Sequence, residues 1–225
     1  MQTSVKRKGE MKMKNLNFIE KKMRNREFVL DHISIGIQKE SEETVVKKKS
    51  DFDGMEFYLY ISCSCGVEKI MQRKITMENL EETGLTEIEA WKKAGENLQK
   101  HTIIKNITDV LSGICGNEPD SRTLCEQMDL EDNGIELSIP MYVISSDSGL
   151  WGAGAIYNKE MLGKFTELHS MKKLVIIPSS IHEMILVPSP DFFDEEEWNQ
   201  MVFEINRSDV PESERLTDQV YVMEF

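Results

Sequence analysis

The chain has 225 residues, 40% of them hydrophobic and 30% charged, with a formal net charge of −13. That length suits one large or two small domains, and no apolar run approaches the roughly 18 to 20 residues that a membrane span needs. Residues 1–50 hold 13 basic and 7 acidic side chains (net +6) and residues 51–225 carry −19, which disfavours direct nucleic-acid binding by the main body, because phosphate needs a concentrated positive face.

Residues 1–14 read as a basic leader, "MQTSVKRKGEMKMK". No apolar segment follows it, so an export signal is not expected and the default location is cytoplasmic. "KGEM" back-translates to a purine-rich stretch like a bacterial ribosome-binding site, which makes Met11 or Met13 an alternative start. The leader is expected to be disordered or a start-site artefact. The rest divides into an N-terminal α+β region, 15–130, and a C-terminal module, 131–225.

In chain order, "EFVLDHISIGI" (27–37) alternates apolar and polar residues and is read as a strand. "QKESEETVVKKKSDFDG" (38–54) reads as a loop, and "MEFYLYISCSCG" (55–66), aromatic and β-branched, as a strand. The spacing predicts a helix over 85–101, with Thr86 and Glu89 in a capping box and Ile88, Trp91, Ala94, Gly95 and Leu98 on one face. "TIIKNITDVLSGICG" (102–116) fits strand or helix, and 117–134 is an acidic connection.

Strands follow at 140–146 and, in "WGAGAIY", at 151–157, whose small residues suit close backbone approach. Asn158 caps a helix over 158–169. "KLVIIPS" and "HEMILVP" read as a hairpin joined at "SSI". Asp194 caps a last helix whose Glu195, Glu196 and Glu197 complement its positive end, with Trp198, Val202 and Ile205 facing inward, and "DQVYVMEF" closes as a strand. The expected fold is therefore α+β: a ββαββαβ module whose antiparallel sheet carries its helices on one face.

The tightest cluster of reactive side chains is Ser179, Ser180, His182 and Glu183, in "PSSIHEMILVP". A serine hydrolase needs a nucleophile held against a base, an orienting acid and an oxyanion hole. The glycine-rich elbow is missing, and adjacent strand residues such as His182 and Glu183 point to opposite faces. Pro-Ser-Ser suits a hairpin corner instead. The zinc motif H-E-x-x-H fails as well, since residue 186 is Leu.

There are four cysteines, Cys63, Cys65, Cys115 and Cys125. Cys63 and Cys65 are the candidate metal ligands, but C-x-C without a second close pair departs from zinc spacing, and small buried hydrophobes are the better reading. "GLWGAGA" does not match a dinucleotide or phosphate loop. No cofactor and no metal are expected.

"PMYVISSDSGLWGAGAIY", "LVIIPSSIHEMILVP" and "LTDQVYVMEF" resemble the DUF5688 family of uncharacterised bacterial proteins, and "LTEIEAWKKAGENL" resembles the family's helix. The resemblance covers mainly residues 85–225. It implies a bacterial protein, often encoded near mobile elements, and supplies no catalytic residues. The leading expectation is a non-enzymatic interaction protein whose acidic surface meets a protein partner with a basic surface. One version is a mobile-element inhibitor, anti-CRISPR-like or anti-defence. The alternative is a small hydrolase or nuclease-like enzyme with His182 and Glu183 as its acid–base pair. A third reading is a homodimer paired through the terminal strand.

Overall fold

A computed structural model describes residues 19–64, 70–115, 140–188 and 193–225. The leader 1–14, Cys65, Cys125 and the acidic connection lie outside the described residues, as does the side chain of Cys115. Two compact units divide the chain, Met1–Lys100 and His101–Phe225. This division falls before the 130/131 boundary expected from the sequence, because the strand after residue 101 pairs within the second unit.

In the first unit, α1 (Arg26–His32) leads into β1 (Ile33–Lys39), followed by β2 (Lys47–Lys49), β3 (Met55–Ser64), β4 (Ile70–Lys74), α2 (Met77–Thr83) and α3 (Glu87–His101). The expected strand over 27–37 is thus half helix. Asn25 starts α1 by accepting the Phe28 N–H through its side chain, a cap that outweighs the apolar alternation of Phe28 and Leu30. Asn97 of α3 ties down the far end of α1: its Nδ2 donates to the carbonyls of Leu30 at 2.8 Å and Ile33 at 2.9 Å.

β3 is the spine of this sheet. β1 pairs along one side of it; on the other side β2 pairs with Glu56–Tyr58 and β4 with Tyr60–Ser64. The two short strands meet at Leu59, whose N–H donates to the Val46 carbonyl and whose carbonyl accepts from Ile75. The expected loop 38–54 therefore contributes a strand. Register places Ile33, Ile35, Ile37, Phe57, Leu59 and Ile61 on one face, all buried, and Gln38, Glu56, Tyr58 and Tyr60 on the other. Gly36 sits opposite Tyr58, and a Cβ there would lie 2.4 Å from the tyrosine Cζ. The ring needs that bare backbone. The capping box of Thr86 and Glu89 forms as read, but the buried face of α3 is Ala90, Ala94, Asn97 and Leu98. Ile88, expected inward, is 82% exposed.

The second unit carries β5 (Thr102–Asn106), α4 (Ile107–Cys115), β6 (Tyr142–Ser146), a 3₁₀ helix (Gly152–Tyr157), α5 (Lys159–Leu168), β7 (Lys173–Ser180), β8 (Glu183–Pro188), α6 (Glu195–Ser208), a 3₁₀ turn (Glu212–Glu214) and β9 (Tyr221–Glu224). Five antiparallel strands run in the order β5-β6-β8-β7-β9, so β9 is an edge. The segment 102–116, ambiguous by period, is strand and then helix over its described residues, 102–115. The expected strand 151–157 is instead the 3₁₀ helix, with Gly152 to Ile156 all buried. Asn158 caps α5 by accepting from Met161, and Asp194 caps α6 by accepting from Glu196 and Glu197.

The α+β class holds, but helices cover both faces of this sheet. Val175, Ile177, Val187 and Val220 form one cluster with Val202 of α6. On the opposite face Tyr142 meets Phe165 of α5 edge-on, with ring centroids 4.9 Å apart. The cause is visible in β7, where Leu174 to Pro178 are all buried. A strand covered on both sides is continuously apolar rather than alternating. Ile205, expected inward, is 47% exposed, and Asn206 takes the inner position of that turn.

Candidate functional site

The residues singled out in the sequence meet at one end of the second sheet. β7 and β8 close their hairpin at Ile181 and His182, with Ser180 paired to Glu183 across a register shift. The Ser180 hydroxyl accepts the backbone N–H of His182 at 3.1 Å, a local turn bond of the kind serine favours after proline. It makes no bond to the imidazole. Ser145 of β6 donates its hydroxyl to the His182 carbonyl at 2.8 Å.

The imidazole has other partners. Its Nδ1 accepts the backbone N–H of Trp151 at 3.1 Å, so the neutral ring carries its proton on Nε2. That nitrogen lies 3.6 Å from Oε2 of Glu214. Trp151 holds a left-handed backbone, φ 50° and ψ 28°, which a bulky residue adopts only when its surroundings fix it. Gly152 follows it against the sheet, where a Cβ would lie 2.2 Å from the Ser146 amide nitrogen and 2.7 Å from the His182 carbonyl. The Ile181 N–H donates to the Glu214 carbonyl and the Ile181 carbonyl accepts from Ala153. Three segments distant in sequence are thus tied together at His182.

This geometry separates the sequence candidates. Ser180 and His182 are neighbours without a nucleophile–base contact, and the nitrogen facing the chain is already an acceptor. The acid beside His182 is Glu214, not Glu183. Glu214 stands far downstream with no spacing signal to mark it, and the Trp151 contact runs through a backbone N–H that no side-chain pattern reveals. Cys63 is buried on the apolar face of β3, beside Ile61 in alternation. Among the described residues no cluster of His, Cys, Asp and Glu could hold a metal ion.

A second constellation, missed in the sequence, lies on the polar face of the first sheet. Glu56 accepts from Gln38 at 2.8 Å, Ser41 at 2.8 Å and Lys47 at 3.2 Å. Burial pushes its carboxyl up, but those donors outweigh burial and hold it below the usual glutamate range. Lys74 pairs with Glu43, donates to Gln38 at 2.6 Å and lies 4.9 Å from the Tyr58 ring centroid. Its hydrogen bond keeps Glu43 below the ordinary range. Burial drives the Tyr58 and Tyr60 hydroxyls upward. The network fastens the segment before β2 to the sheet, because each charged head is met by opposite charge and by hydrogen bonds.

The family model described as "Family of unknown function (DUF5688)" matches residues 5–224. The chain belongs to the DUF5688 family. The match takes in residues 38–84 as well as the half that carries the sequence resemblance. No curated protein and no solved structure gives a significant match. In this DUF5688 protein no described helix is long and apolar enough to cross a membrane.

Proposed function

We propose that this DUF5688 protein is a non-enzymatic, cytoplasmic bacterial interaction protein, and that the acidic surface of its second unit meets a protein partner with a basic face. The observation that carries the reading is the segregation of charge. The first unit holds 19 basic and 17 acidic residues, a net of +2; the second holds 8 and 23, a net of −15. On α6, Glu195, Glu196, Glu197 and Glu204 are all exposed; the first three complement the positive end of the helix dipole, and all four add negative charge to the surface. Such a face speeds encounter with a basic partner and disfavours nucleic acid. A mobile-element inhibitor, anti-CRISPR-like or anti-defence, is the concrete version: its acidic surface occupies a channel built for nucleic acid.

The enzyme alternative is less well supported, because the serine hydroxyls at the site bond the backbone of His182, while its imidazole meets the Trp151 N–H and Glu214 instead of a serine or Glu183. The test is affinity capture with tagged full-length protein, identification of the bound protein, and reconstitution of the purified pair over a salt series. Glu195→Lys, Glu196→Lys and Glu197→Lys together are expected to weaken binding at low salt by at least tenfold. A partner whose affinity ignores both salt and this triple reversal would overturn the electrostatic reading.

A further inference from the structure

His182 holds two groups that respond oppositely to a proton. Its Nδ1 lone pair accepts the Trp151 N–H at 3.1 Å, and its Nε2 faces the Glu214 carboxylate at 3.6 Å. In the imidazolium both ring nitrogens are donors. A proton on Nδ1 would then point at the Trp151 N–H, donor against donor, while Nε2–H gains an ion pair with Glu214. We propose that His182 is a proton-operated latch: neutral, it holds Trp151 in its left-handed conformation; protonated, it transfers its hold to Glu214 and releases Trp151 and the 3₁₀ helix behind it.

The strain at the latch supports the proposal. Trp151 is one of two non-glycine residues with positive φ among the described residues, and left-handed backbone at a bulky side chain persists only while contacts over-determine it. His182 supplies the contact that titrates. Its side chain is 23% exposed, so protons reach it without unfolding. The ionisable groups nearest along the surrounding elements are Glu183 on β8, Glu212 on the 3₁₀ turn, Arg215 after it, Tyr157 on the 3₁₀ helix and Asp147 in the loop after β6; Tyr142 on β6 and Lys173 on β7 stand at the far ends of their strands. Asp147 is engaged at 2.8 Å by His101, and Arg215 donates to the Val210 carbonyl. Glu214 is the group in ion-pair range of the ring. Imidazole is the side chain whose charge changes nearest neutral pH.

The test is a pH titration of the full-length chain labelled with ¹⁵N-tryptophan, read at the Trp151 backbone amide, its peak assigned by loss in Trp151→Phe. The amide is expected to shift upfield and lose exchange protection as pH falls from about 8 to 5. His182→Asn keeps an acceptor near Nδ1 but cannot titrate, so its Trp151 peak should stay fixed. Glu214→Gln removes the carboxylate that stabilises the imidazolium, so the wild-type transition should move to lower pH. A wild-type amide that does not titrate, a His182→Asn variant that titrates alike, or a Glu214→Gln midpoint that does not move would each overturn the latch. If His182→Asn fails to fold, the Glu214→Gln midpoint decides alone.

Discussion

Gly152 offers the sharpest test of the packing at the candidate site. A methyl group there would meet the Ser146 amide nitrogen at 2.2 Å, the Ser145 hydroxyl at 2.3 Å and the His182 carbonyl at 2.7 Å. Two of these three neighbours are backbone, one in β6 and one in the β7–β8 turn, and cannot rotate aside as a side chain could. Overpacking in a tight core costs about 1–3 kcal/mol. Displacing Ser145 also breaks its hydrogen bond to His182, a loss of about 1 kcal/mol. Gly152→Ala should therefore destabilise the protein by about 3 kcal/mol, or roughly 6–12 °C in Tm for a chain of this size. Gly163 is the internal control: it lies in α5 with nothing within 4 Å of its added Cβ. There the same substitution should stabilise by about 0.5–1 kcal/mol, through better helix propensity. Thermal melts followed by circular dichroism measure both. A Gly152→Ala protein melting within a degree of wild type would refute the clash, and a destabilised Gly163→Ala would refute the helix argument.

Asp194→Ala removes the acceptor for two N–H groups at the start of α6 and should cost about 1 kcal/mol, seen as a lower midpoint in urea. Acid should weaken the first unit in a definite window. Glu43 and Glu56 lie below the usual glutamate range when folded, so their contribution is complete above the unfolded value of about 4.3 and is lost as pH falls through the folded values. Carboxyl ¹³C titration should show both carboxylates protonating below the ordinary glutamate range. Lys74→Met should move Glu43 upward, since the Lys74 hydrogen bond is the main cause of its shift; an unchanged Glu43 titration would contradict that assignment.

How much of this could be read from sequence depends on whether a feature is local. The caps at Thr86, Asn158 and Asp194 involve partners three residues or fewer away, and each forms as spacing suggested. The β7–β8 hairpin is equally local. Helix α1 departs from the strand expected there because Phe28 and Leu30 imitate alternation, while the signal that decides it is the Asn25 cap. Residues 152–157 form a 3₁₀ helix rather than a strand because glycines and alanines let the backbone itself press on the sheet; small residues announce close approach but not its shape. Ile88 and Ile205 show that apolar spacing can point away from the core when Asn97 and Asn206 make hydrogen bonds inside it. His182 was found, but its neighbours Trp151 and Glu214 arrive through tertiary folding, which no spacing rule encodes.

The order of strands in the second sheet has a consequence for synthesis. β7 is buried on both faces and pairs on one side with β8 and on the other with β9, yet β9 is translated after every other strand of that sheet. A nascent chain carrying β5 through β8 presents β7 as an open apolar edge, a template for pairing with other chains. The first unit, complete by Lys100, can fold while the ribosome is still working. The second must wait for Tyr221 to Glu224, and during that interval β7 lacks the strand that covers its outer side.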